Sequence, residues 1–291
     1  MEKTGEPGNR EAGKPENART GSPAHRLTGS PTGSPASRLT GSPVSVRNDS
    51  APSEMELAPG LWISDLLCAW LPEERACIAA DLHLGFEAVA ASDGAHFPKR
   101  QKAVLLHRLC AILDRHRPEL LVIAGDFKHN FGRMLRQEMD EVREVLEYLD
   151  SRVDVLFVRG NHDNFLQNLL PEGTPLPERL VLGRFRVAHG HREVAFPPGA
   201  AGPMVLAHEH PSLKLWDAVG ARASAPAFLF EAGSATLVIP ALSPLASGSD
   251  ILRGRLLSPP LRRFGRDKLR VIAATADGLL DFGLAGRLRR P

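Results

Sequence analysis

Five short polar strings interrupt the apolar runs of this 291-residue chain: Asp81-Leu82-His83, Gly125-Asp126, Gly160-Asn161-His162-Asp163, His189-Gly190-His191 and His208-Glu209-His210. Each supplies carboxylate, amide or imidazole groups. That mixture of oxygen and nitrogen donors suits zinc, iron, manganese and nickel. A carboxylate shared by two such cations can hold them about 3.5–4 Å apart. His208 and His210 are two residues apart, so on a regular strand they would share a face. At a strand end that turns into a loop they can serve neighbouring ions instead.

The elements that position these strings are readable from periodicity. Residues 61–71 and 75–81 read as strands around a Pro-Glu-Glu turn, and 120–126 and 153–161 as buried strands. Residues 99–116 and 133–150 carry the spacing of amphipathic helices. This βαβαβ rhythm with all-apolar strands implies a parallel sheet buried on both faces. Beyond 175 the rhythm changes. Segments 179–190, 204–210, 227–232, 235–241, 269–278 and 279–283 read as strands, several joined by tight turns. The expected fold class is α/β, with two mixed sheets packed face to face and helices outside, in one domain. Every polar string follows an apolar strand, and open α/β sheets bind ligands at the carboxyl ends of their strands. Any one string alone would be weak, since Gly-Asp after a strand is commonly a turn. Their joint occurrence, each after a strand, carries the information.

Taken in order, the strings resemble the calcineurin-like metallophosphoesterase superfamily. Its pattern is DxH, GD, GNH(D/E), a lone His and GHxH. This chain has DLH at 81–83, GD at 125–126, GNHD at 160–163, His189, and AHEH at 207–210. The longer strings DLHLGFE (81–87), GDFKH (125–129), VRGNHD (158–163) and AHEHPS (207–212) are similar to the SbcD-related phosphoesterases and to the phosphoesterase encoded beside some bacterial DNA ligases. The resemblance spans about residues 57–285. It implies a four-layer α/β/β/α sandwich and a hydrolase with two divalent ions, manganese first, then iron, zinc or nickel. It also implies that Asp81, His83 and His210 bind one ion, that Asn161, His189 and His208 bind the other, and that Asp126 bridges both. A hydroxide between the ions is then the nucleophile. His162 assists the leaving oxygen, and Asp163 orients His162. Ala207 stands where the pattern has glycine, which predicts a slightly altered turn before His208.

Other residues have weaker claims. His191 is the alternative to His189 as a ligand. His129, close to Asp126, reads equally as a substrate or supporting group and as a helix-start residue. Lys128 could touch phosphate, although a lone loop lysine is more often solvated. His107 and His116 read as packing or surface residues of the first helix, and His96 precedes it. Cys68, Cys77 and Cys110 form no CxxC and sit among apolar neighbours. They read as small buried hydrophobes in a reducing compartment, ahead of a disulfide or metal role. The basic cluster Arg253, Arg255, Arg262, Arg263, Arg266, Lys268 and Arg270 reads as a solvated loop or, less strongly, as a phosphate-backbone contact.

Residues 1–54 are rich in Gly, Pro, Ser and Thr, and TGSP occurs four times, at 20–23, 28–31, 32–35 and 40–43. Such a segment buries too little surface to offset its ordering entropy, so it is expected to be a disordered tail before a 55–291 domain. Translation starting at Met55 is a further expectation. Formal net charge is only +2, which neither demands nor excludes nucleic acid. No apolar run is long enough to span a bilayer, and no signal peptide is recognisable, so a cytoplasmic location without membrane partners is expected. The functional expectation is a phosphodiesterase or nuclease in a DNA-repair context. A small-molecule phosphomonoesterase and a non-catalytic scaffold are the alternatives. All seven implied ligands are present, which weighs against the scaffold.

Overall fold

The computed structural model describes residues 51–95, 98–216, 222–246 and 248–288. The TGSP repeats and His96 lie outside the described residues. The first sheet is built from β1 (Glu54–Ala58), β2 (Leu61–Ser64), β3 (Cys68–Leu71), β4 (Ala76–Ala79), β5 (Leu120–Ile123) and β6 (Asp154–Phe157), in that spatial order. β1 to β4 are joined antiparallel, whereas β4, β5 and β6 run parallel. Parallel neighbours need crossovers, and helices supply them. Between β4 and β5 lie α1 (Phe86–Ser92) and α2 (Gln101–His116), and between β5 and β6 lies α3 (Arg136–Asp150). In α2, Leu105, Leu109, Ile112 and Leu113 form the buried stripe. The helix ends at Arg117 in a left-handed conformation, followed by Pro118, which cannot continue it.

The second sheet holds β7 (Arg179–Leu182), β8 (Phe185–Ala188), β9 (Met204–Leu206), β10 (Pro211–Trp216), β11 (Arg222–Glu231), β12 (Thr236–Val238), β13 (Ser249–Asp250), β14 (Arg270–Thr275) and β15 (Gly278–Leu284). Its order is β13-β10-β11-β12-β9-β8-β7, with β14 and β15 attached through β11. One apolar cluster joins Ile63, Ile78 and Val122 of the first sheet to Phe185, Phe228 and Leu237 of the second. The two sheets therefore pack face to face. A smaller cluster lies on the other side of the second sheet, where Leu229 and Val271 meet Leu261 of α4 (Pro259–Arg262) and Ala285 of α5 (Ala285–Leu288). The architecture is two mixed sheets flanked by helices. Its outer layer over the second sheet consists of these single turns and loops.

Three local expectations need correction. Residues 61–71 form two strands, because the chain turns at Asp65–Leu67, where Leu67 is left-handed at φ 66°. α1 was not anticipated. The folded part also begins before residue 55. Glu54 opens β1, Ser53 O accepts a hydrogen bond from the Asp65 N–H (2.9 Å), and Pro52 O accepts one from the Leu279 N–H (2.8 Å). These backbone pairs give a polar segment a place at the sheet edge that its composition does not advertise. Among the described residues, no helix is long and apolar enough to cross a membrane.

Candidate metal centre

The loops after β4, β5, β6, β8 and β9 converge at one end of the two sheets. Asp81 is fully buried, and Asp126 and His189 are nearly so. Around them two groups of donor atoms assemble: Asp81, His83, Asp126 and His210, and then Asp126, His189 and His208. Asp126 belongs to both. His83 Nε2 lies 3.3 Å from His210 Nε2, and His210 Nε2 lies 3.3 Å from Asp81 Oδ2. In the other group His189 Nε2 is 3.2 Å from Asp126 Oδ2 and 3.1 Å from Asn161 Oδ1. His191 stands behind, its ring centroid 5.4 Å from that of His189. The structure thus brings Asp81, His83, Asp126, Asn161, His189, His208 and His210 into one cluster.

Backbone conformation aims these groups. Asp81, His83, Asp126, His208 and His210 all have positive φ, between 45° and 66°. Each such conformation costs a non-glycine residue of order 1–3 kcal/mol and persists only where the surroundings over-determine it. The surroundings include two glycines. A Cβ on Gly160 would collide with the Asp126 carboxylate and backbone N, and one on Gly125 would collide with the His189 ring. Ala207 is not among the left-handed residues, so a side chain is tolerated there. The turn is made at His208 and His210, which is why the missing glycine does no harm.

Supporting groups fix the imidazoles. The ring nitrogen Nδ1 of His189 faces the Ala124 carbonyl at 2.9 Å, which in the neutral imidazole keeps the proton there and makes Nε2 the atom that can bind a cation. His129 Nδ1 lies 3.3 Å from His83 Nδ1, and the His129 carbonyl takes Nδ1 of His162. The expectation that Asp163 orients His162 is not met. The Asp163 carboxylate accepts N–H bonds from Phe127 (2.8 Å) and Gly160 (2.7 Å), so it clamps two loops together. Lys128 is likewise neither solvated nor aimed outward. It is wholly buried, and its ammonium is held by the carbonyls of His162 (2.7 Å) and Asn130. Four helix and loop residues escaped the sequence reading. Buried Glu138 accepts from the His129 and Asn130 N–H groups, and Glu141 from that of Gly85. Gln101 donates to the carbonyl of His83, and Glu209 accepts from Leu257 and Ser258. The signal was a carboxylate or amide inside an otherwise apolar face, as at Glu138 and Glu141 beside Val142.

The imidazoles of the centre divide into two kinds. Burial pushes His83 down to about 3 and His208 to about 4, so both imidazoles are neutral and have a lone pair to give. Burial opposes charge on His189 too, but its bond to Asp126 prevails and raises it to about 9. Asp126 stays well below the usual carboxylate range, because His189 and neighbouring imidazoles outweigh its burial. Asp81 Oδ1 is buried with no hydrogen-bond partner. An unpaired buried carboxylate oxygen is costly, and a divalent ion would satisfy it. The donor set and this orphaned oxygen both fit divalent metal. Four of the C-terminal arginines, by contrast, make contacts within the domain. Arg262 donates to Leu256 O, Arg263 pairs with Glu193, Arg266 reaches Leu252 O, and Arg270 pairs with Asp281 at 2.7 Å.

Residues 75–227 match the family model of the calcineurin-like phosphoesterases. The chain belongs to that family, whose members use divalent metals, and it is a hydrolase acting on phosphoester bonds. It is similar in structure to the nuclease MPE of Pseudomonas putida, at 25% identity and a TM-score of 0.50, covering 74% of this chain and 92% of that one. A second similar structure is Yfce, a phosphoesterase from E. coli, at 16% identity and a TM-score of 0.36, covering 72% and 98%. No curated protein matches this sequence.

Proposed function

We propose that the protein is a two-metal phosphodiesterase acting on nucleic acid. In this reading Asp81, His83 and His210 hold one ion, Asn161, His189 and His208 hold the other, and Asp126 serves both. The observation that carries it is Asp126, a single buried carboxylate shared by two donor groups. Bound there, divalent ions supply charge neutralisation at the phosphoryl group and an acidified water at neutral pH.

The chain's own residues supply the rest. Hydrolysis adds a water oxygen to phosphorus, breaks the bond to the leaving oxygen and requires a proton on that oxygen. His162 Nε2 lies 3.9 Å from Asp126 Oδ2, at the edge of the centre. With Nδ1 tied to the His129 carbonyl, the proton of the imidazolium form that can leave is on Nε2. Lys128 holds the His162 carbonyl and so fixes the loop from which the ring projects.

Two observations favour a nucleic-acid substrate. The Phe131 ring lies 3.6 Å from the His162 ring and is 53% exposed, and Phe165 is exposed two residues beyond Asp163. Exposed aromatic faces beside a reacting centre suit stacking of a base. The similar Pseudomonas putida protein is a nuclease.

The test is hydrolysis of a model phosphodiester and of single-stranded DNA by chelator-stripped protein, with Mn²⁺ restored. Asp126→Asn is expected to lower turnover at least a thousandfold and to deplete bound metal. Turnover of a monoester alone would transfer the site to a phosphomonoesterase. Full activity in Asp126→Asn would overturn the shared-carboxylate reading.

A further inference from the structure

A second set of ligating atoms lies on the first sheet, away from the strand-end loops. Cys77 on β4 pairs with Trp70 on β3, and Cys68 is two residues before Trp70. Residues two apart on a strand share a face, so Cys68 and Cys77 are diagonal neighbours on one face. His116, the last residue of α2, meets them there. Cys68 Sγ lies 3.8 Å from His116 Nε2, and the three donor atoms lie within 4.8 Å of one another. Both cysteines are fully buried, and the His116 side chain is 2% exposed.

We propose that Cys68, Cys77 and His116 form a separate metal site for a zinc-type cation. Tetrahedral zinc, with Zn–S of about 2.3 Å and Zn–N of about 2.0–2.1 Å, sets a sulfur-to-nitrogen edge of about 3.6 Å. The observed 3.8 Å is close to that edge. The far nitrogen of His116, Nδ1, is 3.6 Å from the Glu54 carboxylate. At this distance the carboxylate makes no hydrogen bond, but it lies on the side of the ring opposite Nε2, from which it can orient a ligating imidazole. The Trp70 ring stacks on His116 with centroids 5.2 Å apart and fixes the plane of the imidazole.

On binding, both thiols release their protons to solvent, and His116 binds as the neutral imidazole. Three protein donors leave a fourth position open. Buried thiols acting only as small hydrophobes need neither an imidazole within ligand distance nor a carboxylate behind it. The site would tie β1, through Glu54, to β3, β4 and the end of α2. Cys77 is four residues before Asp81, roughly 13 Å along an extended chain, so this cluster does not share ions with the strand-end centre.

Cobalt separates the two centres by spectroscopy. Only thiolate ligands give an intense near-ultraviolet sulfur-to-cobalt charge-transfer band, and the strand-end centre has no sulfur. The reduced full-length protein, titrated with Co²⁺, is expected to develop this band to a saturating intensity of one thiolate-bound ion per chain, while the strand-end centre takes up its own ions without contributing to it. The band should persist in Asp126→Asn and disappear in Cys68→Ser and Cys77→Ser. If those variants do not fold, His116→Gln should weaken Co²⁺ binding at this band at least tenfold. Three titratable thiols in the wild-type protein without a charge-transfer band would overturn the proposal. So would a Cys68–Cys77 disulfide found after purification without reductant, or a band unchanged in folded Cys77→Ser.

Discussion

The strand-end centre and the thiol cluster are built by opposite means. At the strand ends, five of the surrounding donors sit on left-handed backbone, and glycines are required where loops touch. In the thiol cluster, Cys68 and Cys77 lie within regular strands and His116 within a helix. The first arrangement stores strain to aim its side chains, as reacting centres do. The second uses only the pleat of a sheet and the end of a helix. Strained, aimed donors suit chemistry on a bound molecule, whereas unstrained donors between packed elements suit a staple.

The largest expected effect isolates chemistry from metal binding. His162→Ala should lower turnover of a diester with a poor leaving group about 10²–10⁴-fold while leaving both metal contents unchanged. Equal rates for mutant and wild type on such a substrate would remove His162 from proton transfer. Next in size is Gly160→Ala. The added methyl meets the Asp126 carboxylate and backbone, so overpacking should cost about 1–3 kcal/mol in denaturant unfolding and reduce metal at the strand-end centre. The cobalt–thiolate band should be untouched. A variant as stable and metal-replete as the wild type would show that the glycine is not what lets these loops approach.

The same contrast explains what could be read in the sequence. The donors at the strand ends are recognisable because each string is contiguous and follows an apolar run, so DLH, GD and GNHD mark both the strand and its end. β4, β5 and β6 were legible for that reason. The thiol cluster was not, because its spacing is set by cross-strand register and helix length. Cys68 and Cys77 form no CxxC, and His116 lies far beyond both in sequence, so the three share no motif. Lys128 and Asp163 show the limit even inside a motif. Their residue types fit a phosphate contact and a histidine partner, yet burial and the nearest backbone donors or carbonyls decided otherwise. β1 and α1 were illegible because backbone pairing and packing against buried glutamates, not strong periodicity, hold them.

Smaller is the effect of the exposed aromatic. Phe131→Ala should weaken binding of single-stranded DNA by about 1–3 kcal/mol, seen in KM, with little change in kcat on a small model diester. Equal loss on both substrates would mean that Phe131 only supports the His162 ring.

The gentlest probe is the pH dependence of unfolding for metal-stripped protein. Burial lowers His83 to about 3 and His129 and His208 to about 4, against an ordinary value of 6.5. Below pH 6.5 the unfolded chain therefore takes up protons at these three sites that the folded chain refuses, and stability falls as pH falls. Asp163, raised to about 6 by burial and the Asp126 charge, acts in the opposite sense, being protonated in the folded state and ionised in the unfolded one above 3.8. His191 is lowered by burial as well, and Asp81 and Asp126 are held low by their imidazole neighbours, so these groups add to the acid loss, while Glu138 and Glu209, raised by burial, act with Asp163 against it. His189 is raised to about 9, so its contribution is present below 6.5 and is lost as pH rises through 9. His210, also raised, has the same sign. Thermal midpoints should thus fall on the acid side of pH 6.5. Because these groups belong to the strand-end centre, the acid limb should survive in Cys77→Ser. A flat profile from pH 4.5 to 7 would mean that the buried imidazoles are not held neutral, and a limb that vanished with Cys77 would erase the separation between the two regions.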